Sequence, residues 1–194
     1  MRYRLLIIIL ISAYCLQATA QAKYEREYRI KKAEFPEMAH ALLANEMPEV
    51  KRLKYYRETD SAKTSYEAKL KKDRLHYSIE FDSEGVLEDI EITIKEVDLP
   101  NATFLSIREY LSKSYAKYNI RKIQQQYPVI EGKPIKKIVR EAFQNLMLPY
   151  INYELIVSCK TKDGRQDFEF LFSSEGTFIS KRKLLPPNYD HVLY

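Results

Sequence analysis

The chain has 194 residues, of which 45% are hydrophobic, 12% aromatic and 30% charged, enough apolar side chains to fold around a core and to exclude global disorder. Four glycines leave no room for a glycine-rich phosphate cradle, and 16 Tyr with no Trp make tyrosine the main aromatic packing residue. The formal net charge of +5 is spread over interleaved Lys and Glu, as in 23–32, rather than gathered on one face, so nucleic acid is not an expected partner.

At the amino terminus Arg2 and Arg4 precede an apolar stretch from Leu5 to Leu16, and Ala18-Thr19-Ala20 precedes Gln21. This is the layout of a secretory signal peptide over residues 1–20. The apolar stretch is shorter than the ~20 residues of a spanning helix, so a periplasmic or secreted product is expected, with no stable membrane span after cleavage. Cys15 follows Tyr14 rather than the small residue that lipidation wants. Cleavage removes Arg2 and Arg4, leaving 30 basic against 27 acidic residues, a net charge of +3. Only Cys159 then remains, which excludes an intramolecular disulfide.

Residues 27–36 align without a gap on residues 91–100. Both segments read as an alternating strand followed by an acid, an apolar residue and a proline: Glu34-Phe35-Pro36 and Asp98-Leu99-Pro100. Proline suits the first turn of a helix, where its missing N–H would be unpaired anyway, and a nearby acid favours the positive helix end. The first helix, to about Met47, places Met38, Ala39, Leu42, Leu43 and Met47 on one face. The second, to about Tyr115, does the same with Phe104, Ile107, Leu111 and Tyr115.

Strands follow each helix. Tyr66-Glu67 and Tyr153-Glu154 begin strands, and Phe81-Asp82-Ser83-Glu84-Gly85 returns as Phe172-Ser173-Ser174-Glu175-Gly176, a three-residue hairpin loop with Gly at positive φ. Asp163-Gly164 is a two-residue hairpin turn. Tyr77, Ile79 and Phe81, like Phe168, Phe170 and Phe172, alternate with mostly polar residues, so one sheet face is apolar and covered by helices. Between the units the spacing differs by 23 residues, the length of Tyr127 to Pro149. There Ile135, Ile138, Val139, Phe143, Leu146 and Met147 fall at helical spacing, predicting an inserted amphipathic helix over 133–148 that packs on the body of the domain, the alternative being a mobile flap or partner-docking helix.

The search for chemistry gives structural answers. His40, His76 and His191 share no ligand spacing, and His76 and Glu80, four apart on a strand, are separated by ~13 Å. Cys159 alternates with Tyr153, Leu155 and Val157 and reads as a buried small hydrophobe. Asp82 to Gly85 lacks the spaced acids of a calcium loop. Asp60-Ser61-Ala62 fits a loose O-glycosylation pattern and marks a surface loop. Lys181-Arg182-Lys183 falls in the last strand, where charge blocks edge-to-edge pairing. No enzyme, metal site or cofactor is expected.

The acid-apolar-Pro helix starts, the Tyr-Glu strands and the Phe-Asp-x-x-Gly hairpin, over residues 27–186, resemble the PepSY-like, beta-lactamase-inhibitor-like family of exported Bacteroidetes proteins. The second hairpin departs from that pattern, with Ser173 in place of Asp, and so does the helical insert. The resemblance implies an α+β fold of two tandem helix-plus-antiparallel-sheet repeats, helices on one sheet face, at 21–97 and 98–186, with an insert at 127–149 and a tail at 187–194. It also implies a non-catalytic protein-binding module that modulates an envelope or secreted protein through the open sheet face. Strand alternation sends Ser78, Asp167, Glu67 and Lys69 to that face, together with the expected partner-binding residues His76, Glu80, Glu154, Ile156, Glu169 and Leu171. The alternative is a periplasmic carrier of a hydrophobic small molecule held between helices and sheet.

Overall fold

The computed structural model describes residues 22–23, 25–60 and 63–185. The expected signal peptide, Ser61 and Ala62 of the glycosylation pattern, Pro186 and the tail with His191 lie outside them. Strands β1 (Ala22–Lys23) and β2 (Glu25–Ile30) lead to helix α1 (Glu37–Leu43). Next come β3 (Lys51–Asp60), β4 (Lys63–Lys72), β5 (Leu75–Asp82), β6 (Leu87–Ile94) and helix α2 (Asn101–Ser114). The chain continues through β7 (Tyr118–Pro128), helix α3 (Ile135–Phe143), β8 (Asn152–Thr161), β9 (Gly164–Ser173) and β10 (Phe178–Leu184). The architecture is α+β, a predominantly antiparallel sheet in the order β1-β10-β9-β8-β7-β6-β5-β4-β3-β2, with helices packed on the apolar face.

Strands β1 and β2 stand at opposite ends of that order, yet a single residue separates them in the chain. The sheet therefore curls until its two margins meet on one segment: Ala22 and Lys23 run parallel to Lys183 and Leu184, while Glu25 to Ile30 run antiparallel to Asp60 to Tyr55. Register shifts in β3, β5–β6, β7 and β10 supply local twist for the curl. The helices lie outside the curve. Phe143 of α3 stacks on Tyr77 at 4.9 Å, Tyr110 of α2 meets Phe172 at 5.5 Å, and Phe35 before α1 meets Phe81 at 5.6 Å.

The acid-apolar-Pro segments act alike at both places. Glu34 accepts the Lys31 N–H and Asp98 the Lys95 N–H, each at 2.8 Å, closing a short 3-10 turn before the helix. Phe35 and Leu99 are buried, and Pro36 and Pro100 stand as the caps whose carbonyls receive the first helical bonds, from His40 and Phe104. The hairpins also match. Asp82 Oδ1 accepts the N–H groups of Glu84 and Val86 at 2.9 Å, and Ser173 Oγ accepts those of Glu175 and Thr177 at 3.2 Å, so the serine performs the aspartate's turn-closing role with longer bonds.

Several expected boundaries move. The first α-helix ends at Leu43 and continues as a 3-10 turn, Ala44–Glu49, with Pro48 inside it, and Met38 is exposed. Helix α3 ends at Phe143 rather than 148, because Asn145 takes a left-handed φ of +50°; Leu146 and Met147 are consequently exposed. The β8–β9 turn centres on Lys162 and Asp163, with Thr161 paired to Gly164. The tight β4–β5 turn, Asp73-Arg74, has both residues at positive φ and no glycine to announce it.

Candidate binding trough

The polar faces of the strands line the inside of the curl. All six expected partner-binding residues are on this face, and His76, Glu80, Glu154, Ile156 and Glu169 line a cavity of about 560 Å³; Leu171 shares the face, opposite Glu154, outside the lining. The sheet face expected to be open is curved. Curvature encloses the side chains, so Glu67, Glu91, Glu154 and Glu169 are all buried, while His76 is exposed and Glu80, Ile156 and Leu171 are half-buried. The space between helices and sheet, where a hydrophobic cargo was placed, is filled at this level by the fully buried Ile79, Ile90, Ile92, Leu155 and Phe170.

The ladders set the trough's electrostatics. Glu67 stands opposite Glu80, and Glu80 opposite Asp89, giving three carboxylates across adjacent strands. Glu91, two residues beyond Asp89 on the same face, accepts a hydrogen bond from Gln124. Gln126 donates to Asp89 Oδ2 at 2.9 Å and is itself held by Asn152 at 3.1 Å. On one side Lys69 pairs with Glu67 at 2.9 Å and with Glu27, and Ser78 donates to Glu67. On the other, Arg182 Nε donates to Glu169 Oε1 at 2.7 Å. Arg182 is thus more than an edge charge: its side chain turns to the trough while Lys181 lies over the Phe168 ring on the convex face.

Burial pushes the Glu58 carboxyl up to about 8, with the Glu67 charge adding to it. Asp89 and Glu91 rise well above the usual carboxylate range, first through burial, then through Glu80 and Glu154 beside Asp89 and through Glu154 and Asp89 beside Glu91. Lys69 is pulled down by burial, but Glu67 and Glu27 outweigh this and hold it above the usual lysine value. Cys159, fully buried on the convex side, has its thiol raised to about 11 by burial.

Sequence reasoning missed Glu27, Glu58, Asp89, Glu91, Gln124, Gln126 and Arg182. For Glu91 a signal existed, since Glu91-Ile92-Thr93-Ile94 alternates and phases its polar face. For Gln124-Gln125-Gln126 none did: three identical polar residues carry no alternation, and the structure buries Gln125 toward the helices while Gln124 and Gln126 face the trough.

No family model matches the chain, and no curated protein matches it by sequence. Solved structures do resemble it. A DUF2874 family protein from Bacteroides ovatus has 9% identity and a TM-score of 0.52, over 77% of this chain and 87% of that one. A protein provisionally assigned to the periplasm of Bacteroides eggerthii has 10% identity and a TM-score of 0.53, over 80% and 93%. A beta-lactamase-inhibitor-like protein from Bacteroides fragilis has 14% identity and a TM-score of 0.48, over 82% and 92%. The first two likenesses show a shared fold.

Proposed function

We propose that this chain is an exported, non-catalytic binding protein that engages an envelope or secreted protein through its concave polar face, in the periplasm or outside the cell. The observation that carries the reading is convergence: residues from β5, β8 and β9, far apart in the chain, line one cavity of about 560 Å³ opposite the helices, within the usual range for binding sites. Export is supported by the charged, apolar and small-residue layout of residues 1–20 and is in keeping with the periplasmic assignment of a fold neighbour. We read the two halves as copies of one strand-helix-strands unit, on the paired caps at Glu34 and Asp98 and at Asp82 and Ser173.

Ile156 and Leu171 are half-buried apolar residues of the face and the anchors we assign to a partner. Immobilised mature chain is expected to retain a partner from envelope extract. Ile156→Asn and Leu171→Asn, which add no charge to an acidic surface, should each lose at least tenfold of that retention with circular dichroism unchanged. Equal retention by wild type and both folded variants would overturn the assignment.

A further inference from the structure

We propose that Glu80, Asp89 and Glu91 form a site for a hard divalent cation, of the calcium or magnesium type, at the floor of the trough. Carboxylate oxygens from the three residues lie within 4.8 Å of one another, a spacing that one ion can bridge. The ladder produces this arrangement: Glu80 is opposite Asp89, and Glu91 follows Asp89 by two positions, so strand alternation returns it to the same face.

Asp89 is the decisive residue. It keeps some exposed surface, but its carboxyl group is almost entirely enclosed, and Oδ1 is shut off from water and meets no hydrogen-bond donor. A carboxylate oxygen in that position is costly unless something positive meets it. Gln126 fixes Oδ2, so the carboxyl cannot turn to share one donor between both oxygens, and Gln124 fixes Glu91 in the same manner. Such outer contacts orient ligands around a metal. Glu80 and Glu91 also line the cavity, which gives an ion its route in.

The neighbouring triad makes the contrast. Glu27, Glu58 and Glu67 are equally close, but Lys69 pairs with both Glu27 and Glu67, so that cluster already contains its cation. Three oxygens with no imidazole or thiolate favour a hard ion over zinc or copper.

This inference goes beyond the partner-binding reading and stands whether or not a partner is captured. Chelator-treated mature protein is titrated calorimetrically with CaCl2 and, separately, MgCl2. One ion per chain should bind, with a rise in Tm. Asp89→Asn should weaken binding at least tenfold; Glu80→Gln, on a half-buried residue, repeats the test should Asp89→Asn fail to fold. Glu67→Gln should leave ion binding within about twofold, since Lys69 and not the ion is its partner. Preference for either salt supports the site and reports its size. Absence of binding to both at about 10 mM, or binding unchanged in folded Asp89→Asn and Glu80→Gln, overturns it.

Discussion

Glu80 stands directly opposite Asp89 in the β5–β6 ladder, both on the concave face. Directly opposed like charges on neighbouring strands are destabilising, by roughly 0.2–1 kcal/mol on an exposed sheet and more when enclosed. A fold that repeats the opposition one strand over, at Glu67 and Glu80, therefore stores repulsion in the trough. Lys69 and Arg182 answer it at the two flanks, through Glu67 and Glu169.

This repulsion predicts the pH dependence of stability. Glu58 titrates at about 8 in the folded chain against a usual 4.5, and Asp89 and Glu91 shift in the same direction. Between those values the folded protein binds protons that the unfolded chain has released. The stabilisation is fully present below the unfolded value and is lost as pH rises through the folded one. With a chelator present, Tm should fall by several degrees between about pH 5.5 and pH 8.5, and Glu58→Gln should flatten the slope. A Tm that rises across this range would contradict the assignment.

Gly85 and Gly176 predict a second effect. Both hairpin glycines have positive φ, and a Cβ at Gly85 would lie 2.6 Å from Pro36 Cβ, while one at Gly176 would lie 2.5 Å from the Thr103 carbonyl oxygen. The loops touch the starts of α1 and α2, so contact and φ strain add. Each Gly→Ala change should cost about 2–4 kcal/mol in denaturant unfolding. Gly132 and Gly164 also have positive φ but open space around the added atom, so alanine there should cost only about 1 kcal/mol.

What was legible in the sequence follows from periodicity. Helix starts were readable because proline and an upstream acid are each required by local geometry, and the face assignment of Tyr77, Ile79 and Phe81 followed from alternation. Curvature was not readable. It arises from bulges such as that between Lys51 and Lys54, and from the pairing of residues 22–23 with β10, some 160 residues away in the chain. Alternation therefore put Glu154 and Glu169 on one polar face but gave no sign of their burial, which the closing sheet imposes. The Asp73-Arg74 turn was missed for a related reason: its left-handed φ is imposed by the tight connection between β4 and β5, not favoured by residue type.

The amino terminus carries a third prediction. Cell fractionation followed by terminal sequencing should find the protein in the periplasm or medium, beginning at Gln21 or within two residues of it. Recovery of the unprocessed chain in the inner membrane would exclude the signal-peptide reading.

Cys159 gives a fourth. Its thiol is fully buried on the convex face and raised to about 11, so at neutral pH it is protonated and shielded. Native protein should react with a thiol reagent at least a hundredfold more slowly than protein unfolded in guanidinium, and the two rates should converge as the denaturant midpoint is passed. Rapid stoichiometric labelling of the native chain would exclude the buried placement.

The last prediction concerns α3, whose sequence suited either a packed helix or a mobile flap. Ile138 and Ala142 are fully buried, Val139 nearly so, and Phe143 stacks on Tyr77 with rings 12° from parallel while the Lys72 ammonium lies 5.1 Å from the Phe143 ring centre. That is the packing of a core element. Phe143→Ala removes the stack, the cation contact and the buried ring area together, and should cost about 3 kcal/mol, near the low end for phenylalanine truncation because the ring is not wholly enclosed. Phe143→Leu keeps most of the apolar volume and should cost about 1 kcal/mol. In hydrogen exchange, amides of α3 should be protected to a degree comparable with β5 and β6 in the wild type. A mobile flap would instead exchange its amides many orders of magnitude faster than the sheet, and Phe143→Ala would leave Tm unchanged.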